Sequence, residues 1–344
     1  MRISRSKLFS FLLITASIVL VFFIAFGNRE LDNIQDAFGS MDIKWLAGVL
    51  LCWCVYTFFD GMNYWAYLRA QGFSISLLRA VHVALIGFYY SNITPSAVGG
   101  QPMQVNSMRK AGIPVGYGTM AVTVRFITNQ FMISAISLVL FLTNSGFVYE
   151  HLGSAIWFVR FGWLINFGSV PLVLLAAFKR NWIQKTATAL IRLLSRIKII
   201  RNPDVTTAKV TGVLDTYHSA LHDLLHHPSQ IVVQFLLSAV SLAGLFSTVI
   251  FVYHAFGMSG VSWIRILTIS SLLYISASAT PLPGASGAQE GGFMLYYRGI
   301  FSENTIGLAL LVWRFFTFYL YLIVGIFSVI MERVMVSRDR RRLK

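Results

Sequence analysis

The chain is poor in charge and poorest in acid: Asp and Glu number 13 among 344 residues, and all charged residues together make up 12%. Soluble domains carry about twice that share of charge, so a soluble globular fold is excluded. Cysteine is scarcer still. Cys52 and Cys54 lie two apart in an apolar stretch, where a helix points them in different directions. They offer no disulfide framework and no metal pair, and they carry no compartment information. Histidine is missing after His254. The run Gly284-Ala285-Ser286-Gly287 matches the Gly-x-Ser-Gly of intramembrane serine proteases, but the downstream base that this chemistry needs is absent. With no acid, base and nucleophile set visible, the reading is of a transporter-like protein without cofactor, not an enzyme.

What the chain does have is apolar surface. Hydrophobic residues make up 56% of it and the mean hydropathy is +0.68, which places it among polytopic membrane proteins. The formal net charge of +15 lies in loops beside apolar runs. There it reports orientation and contact with anionic headgroups, and nucleic acid is not the expected partner.

Runs of spanning length cover about 8–26, 45–64, 117–142, 155–178, 231–256 and 305–331. The first follows Arg2, Arg5 and Lys7 and is read as a retained helix, not as a signal peptide cleaved near Ala25-Phe26-Gly27. Two shorter runs, about 77–93 and 263–279, each end in a stretch rich in Pro and Gly. Such residues break a helix and free backbone groups that need protein or water partners.

Loop charge sets directions. Arg2, Arg5 and Lys7 put the N-terminus in the cytoplasm, and Glu30, Asp32, Asp36 and Asp42 put the next loop outside. Arg69 and Arg79 precede the first broken run, and Arg109 and Lys110 follow it, so the chain enters and leaves on one side. The basic 179–230 connector and the arginine-rich tail are cytoplasmic, which makes the second broken run open from outside. The expectation is an all-α polytopic membrane protein. About six full spans and two re-entrant hairpins form an inverted repeat, with both termini cytoplasmic. One domain fills residues 1–344: a first half to about 178, the connector 179–230, a second half 231–331 and a tail 332–344. Within the connector, apolar residues at helical spacing among Lys185, Arg192 and Arg196 predict an amphipathic helix on the inner leaflet. Asn202-Pro203 starts a second helix, with a stripe through Val210, Val213, Leu214, Tyr217, Leu221 and Leu224.

The two breaks are worded alike. One reads Thr94-Pro95-Ser96-Ala97-Val98-Gly99-Gly100-Gln101-Pro102, the other Thr280-Pro281-Leu282-Pro283-Gly284-Ala285-Ser286-Gly287-Ala288-Gln289-Glu290. Each is followed by a helix with Arg-Phe-x-Thr, at Arg125 and at Arg314. Those arginines sit roughly 12–14 Å into their helices at 1.5 Å per residue. An arginine at that depth is costly unless paired or facing water. As a site, Arg125 and Arg314 would capture an anionic headgroup by charge and bidentate hydrogen bonds. Thr94, Gly99, Gly100, Gln101, Thr280, Pro283, Gly284, Gly287 and Gln289 would supply close backbone approach and further hydrogen bonds. As structure alone, Arg314 would pair with Glu290, and Arg125 with Asp60 or with Asn129 and Gln130. Glu290 and Asp60 would then be coupling or ion-pair carboxylates. His218, His222 and His226 recur every four residues, but the bland alternative to a metal site is the wet face of a surface helix.

Through both breaks, Arg109-Lys110-Ala111-Gly112-Ile113 and the two arginines, the chain resembles the lysylphosphatidylglycerol synthase transmembrane-region family, related to the flippase domain of the multiple peptide resistance factor. The resemblance implies a bacterial inner-membrane lipid translocase. Its partner would be an anionic phospholipid, phosphatidylglycerol or an aminoacylated derivative. After Met331 only a basic tail follows, so no aminoacyl-transferase domain is expected. Three alternatives stay open: a transporter of an isoprenoid-linked phosphate, a transporter of a small anion, and a non-transporting partner of a separate lipid-modifying enzyme. A homo-oligomer is also open.

Overall fold

The computed structural model describes residues 39, 41–196, 202–278 and 280–342. The expected first span at 8–26 lies outside them. Among the described residues the fold is all-helical. Five helical stretches are long and apolar enough to cross a membrane: Lys44–Ala70, Val115–Thr143, Ser145–Leu175, Pro228–Ala255 and Ile306–Glu332. They coincide with the five remaining expected spans.

Helix α1 (Lys44–Ala70) leads into α2 (Leu77–Asn92), the first break, and α3 (Gly100–Lys110). Helix α4 (Val115–Thr143) carries Arg125. A short α5 (Ser145–Leu152) runs through a 3-10 turn into α6 (Ile156–Phe178). Helices α7 (Arg180–Arg196) and α8 (Pro203–Leu225) form the connector. Helix α9 (Pro228–Ala255) leads to α10 (Trp263–Ala277), the second break and α11 (Ala288–Tyr296). The last span is α12 (Ile306–Arg314), a π turn (Phe315–Tyr319) and α13 (Leu320–Arg342).

Spanning helices must show apolar side chains on two sides, to lipid and to protein. Leu51, Leu164, Leu236 and Phe327 are 61%, 69%, 62% and 63% exposed, which in water would be an aggregation hazard and in a bilayer is the lipid face. Inward, α1 and α9 form the most extensive helix pair. Gly244 lets them approach, since a Cβ there would come within 3.1 Å of the Cys52 carbonyl oxygen.

One larger core joins α4, α6, α9, α10, α11 and α12 around Phe246, Phe293 and Trp313; a smaller one joins α1, α2, α3, α4 and α8 around Tyr64, Tyr67 and Met108. Pro203 opens α8 as expected, but the Asn202 side chain makes no cap. Tyr217, Leu221 and Leu224 of the expected stripe are buried, and α8 packs on α4. Part of that stripe is therefore covered by protein.

Candidate site where the two breaks meet

Both breaks follow from proline chemistry. Pro95 and Pro281 have no N–H to give to the last turns of α2 and α10, so each helix stops and a single 3-10 turn follows. Each turn then visits the left-handed region: Ser96 at φ 52 and Ala97 at φ 55 in the first, Gly284 at φ 58 and Ala285 at φ 51 in the second. Side-chain-bearing residues occupy that region at a cost, and such strain concentrates at functional sites. Gly284 is required twice over, by its φ and because a Cβ there would lie 2.2 Å from the Phe318 ring.

The hydroxyl of Thr94 holds the first break: it donates to the Tyr90 carbonyl oxygen at 2.6 Å and accepts from Gly99 N–H at 2.9 Å. The two breaks touch. Ser96 N–H donates to the Pro281 carbonyl oxygen at 2.8 Å, across 185 residues of chain.

A cavity of about 340 Å³ opens where they meet. Ser91, Asn92 and Ser96 line it from the first break, and Thr280, Gly284 and Gln289 from the second. Tyr56 of α1, Asn129 of α4, Tyr274 of α10 and Arg314 complete its polar wall. A concave site of this size with a few convergent polar groups is the usual form of a small-ligand or headgroup site.

Arg314 is 3% exposed, and its Nε donates to Glu290 Oε1 at 2.6 Å. Its Nη2 donates to the Gly284 carbonyl oxygen at 3.0 Å, and Glu290 Oε2 accepts from Gly287 N–H at 2.6 Å. The guanidinium also lies 4.9 Å from the centre of the Phe318 ring. Backbone, carboxylate and arginine of the second break are thus one network. Arg314 immediately precedes the π turn, and such turns occur in helices at functional positions.

Arg125 makes the corresponding pair in the first half. Its Nε donates to Asp60 Oδ1 at 2.7 Å, and its Nη2 donates to the same oxygen. The carboxylate comes from a different place in each half: Asp60 from the long helix before the break, Glu290 from the helix after it. Both ion pairs foreseen from the sequence are formed. Gln130 goes elsewhere, donating to Asn166 Oδ1 at 2.7 Å.

The match of a family model settles the relationship: the model for the lysylphosphatidylglycerol synthase TM region covers residues 8–325. The chain belongs to that family. A curated relative of Archaeoglobus fulgidus, a UPF0104 membrane protein, is 24% identical over 266 residues, covering 75% of this chain and 77% of its own length. The family chain is a multi-pass membrane protein, and both breaks and both arginines fall inside the matched region.

Within this member of the synthase TM-region family, the expected site residues divide. Arg314, Thr280, Gly284 and Gln289 line the cavity, while Arg125, Thr94, Gly99, Gly100, Gln101, Pro283 and Gly287 do not. Thr94 and Gly99 hold the first break together, Gln101 is exposed, and Pro283 is buried. A Cβ on Gly100 would lie 2.0 Å from Ser91 Oγ, so that glycine serves the contact of α2 with α3. Sequence reasoning missed Asn166, which is fully buried and ties α4 to the second break: its Nδ2 donates to Ser278 Oγ at 2.5 Å. Its signal was there to read, a lone asparagine in a strongly apolar helix. Tyr56, Tyr274 and Asn92 carried no such mark. Among the described residues no group of three or more His, Cys, Asp or Glu side chains could hold a metal ion.

Proposed function

We propose that this protein is a lipid translocase of the cytoplasmic membrane, a transporter and not an enzyme. The polar headgroup of an anionic phospholipid enters the cavity between the two breaks while its acyl chains stay outside that cavity, on the apolar side of the bundle. The observation that carries the reading is the cavity itself: hydrogen-bonding side chains and one arginine converge where two helix breaks touch, inside a bundle of apolar helices. Arg314 Nε and Nη2 are engaged, while Nη1 makes no hydrogen bond among the described residues. An arginine has five N–H donors in a planar fork, so this edge suits a phosphate oxygen.

In this reading α2 with α3, and α10 with α11, are re-entrant hairpins opening from opposite faces. The two halves form an inverted repeat around the cavity. Rocking of the halves alternates access, and Glu290 holds Arg314 between ligands.

Translocation is tested by reconstituting the purified chain in liposomes with fluorescent phosphatidylglycerol in both leaflets and quenching the outer leaflet chemically. The expected result is quenching beyond the outer-leaflet fraction with the wild-type chain, and its loss with Arg314→Ala. Uptake of a soluble anion without lipid movement would replace this reading with the small-anion transporter. Binding of lipid without movement would favour a non-transporting partner of a lipid-modifying enzyme.

A further inference from the structure

A second cavity, of about 260 Å³, lies beside the first and is almost wholly apolar. Gly287, just before α11, and Ala288, Gly291 and Gly292 within it form its floor, and Phe158 and Leu295 flank it. Ala277 lines both cavities, so the two share a wall at the end of α10. Phe158 and Leu295 are exposed among the described residues, so the slot opens sideways at the face where lipid lies.

Gly291 is the informative residue. It sits inside a helix, where glycine is less favourable than alanine. Its φ is not positive, and a Cβ there would meet nothing within 4 Å. Neither backbone conformation nor helix packing requires a glycine; its missing side chain only keeps the slot open. Gly292 differs, since a Cβ there would press on Leu273 at 2.5 Å. On the same helix, Gln289 is 7% exposed and its Oε1 has no hydrogen-bond partner while it lines the polar cavity. A buried acceptor left open is costly unless a ligand supplies a donor. One turn of α11 therefore presents a polar group to the first cavity and a bare, apolar floor to the second.

We propose that this slot between α6, α10 and α11 seats one acyl chain of the lipid whose headgroup enters the polar cavity. The inference rests on the translocase reading and adds to it: the protein holds the lipid by both ends, and the chain beside α11 does not move freely in the bilayer. A water-soluble anion would have no use for the slot.

The test uses the full chain in vesicles of phosphatidylethanolamine and phosphatidylglycerol, with phosphatidylglycerol carrying a photoactivatable diazirine in one acyl chain. Cross-links mapped by mass spectrometry should fall on Phe158, Leu295 and their neighbours. Gly291→Leu fills the slot from open space and should fold normally, with an unchanged melting temperature. It should reduce these adducts several-fold and slow translocation, while Gly291→Ala has a small effect. Adducts unchanged by Gly291→Leu would overturn the proposal. So would translocation without any adduct at the slot, whether the slot is empty or filled by the chain's own apolar segment 8–26. Adducts at the slot with no translocation would leave the slot standing and remove the translocase reading.

Discussion

At the residue scale, two arginines with the same sequence context have different surroundings. Arg314 forms part of the cavity wall and is nearly inaccessible, whereas the Arg125 side chain is 19% exposed and lies outside the cavity lining. Breaking a buried ion pair from one side leaves an uncompensated charge, which costs about 3–5 kcal/mol. Arg314→Met should therefore lower thermal stability in detergent strongly, and Arg314→Met with Glu290→Leu should recover much of it, because an apolar pair leaves no stranded charge. Neither variant should translocate lipid. Recovery of transport along with stability in the double variant would show that the pair is structural only. Arg125→Ala with Asp60→Ala should behave otherwise: stability coupling in a double-mutant cycle, with residual transport. Both pairs were legible in the sequence because a charge in an apolar helix needs an opposite charge within reach. Tyr56 and Tyr274 were not legible as site residues, since tyrosine is at home in any apolar helix and only the packing of α1 and α10 brings these two to one cavity.

At the element scale, the five spans were readable from run length, and both breaks from proline and glycine. The π turn after Arg314 was not readable, because Phe315–Tyr319 differs in no residue type from an ordinary apolar helix. It accommodates an extra residue in the ladder and so keeps the face of α13 turned to α2, whereas one alanine inserted after Leu320 would turn α13 by about 100° relative to α12. α13 packs on α2 where Gly325 faces the Tyr89 ring, and where Tyr321 joins Phe88 and bonds Thr57 Oγ1 at 3.0 Å. An alanine inserted after Leu320 should therefore abolish folding or transport, measured by monodispersity in detergent and by the liposome assay. A lysine tie secures the far end of α13 to α3: Lys110 Nζ donates to Glu332 Oε2 at 2.7 Å. Glu332→Ala should lower the melting temperature moderately and leave headgroup selectivity unchanged, since the tie is remote from the cavity lining.

At the scale of the whole molecule, the proposed re-entrant arrangement makes a topological prediction. In a background with Cys52→Ala and Cys54→Ala, single cysteines at Ser74 and Ala111 should react with a membrane-impermeant thiol reagent from the same side. Cysteines at Ser259 and Ser302 should react from the opposite side. Labelling of Ser74 and Ala111 from different sides would make the first broken run a full crossing and remove the inverted repeat. The likeness of the two breaks was visible in their wording; their contact was not, because no residue type marks Ser96 or Pro281 as neighbours.

That contact is a hydrogen bond between main-chain atoms, from Ser96 N–H to the Pro281 carbonyl. Any residue with a main-chain N–H that tolerates a φ of 52 can make it, so the join does not depend on the serine side chain. Proline is the exception, for it removes the donor and also refuses the φ of 52. Ser96→Gly should be silent in the translocation assay and Ser96→Pro should abolish it, so the joint reads the main chain at 96 and not the side chain.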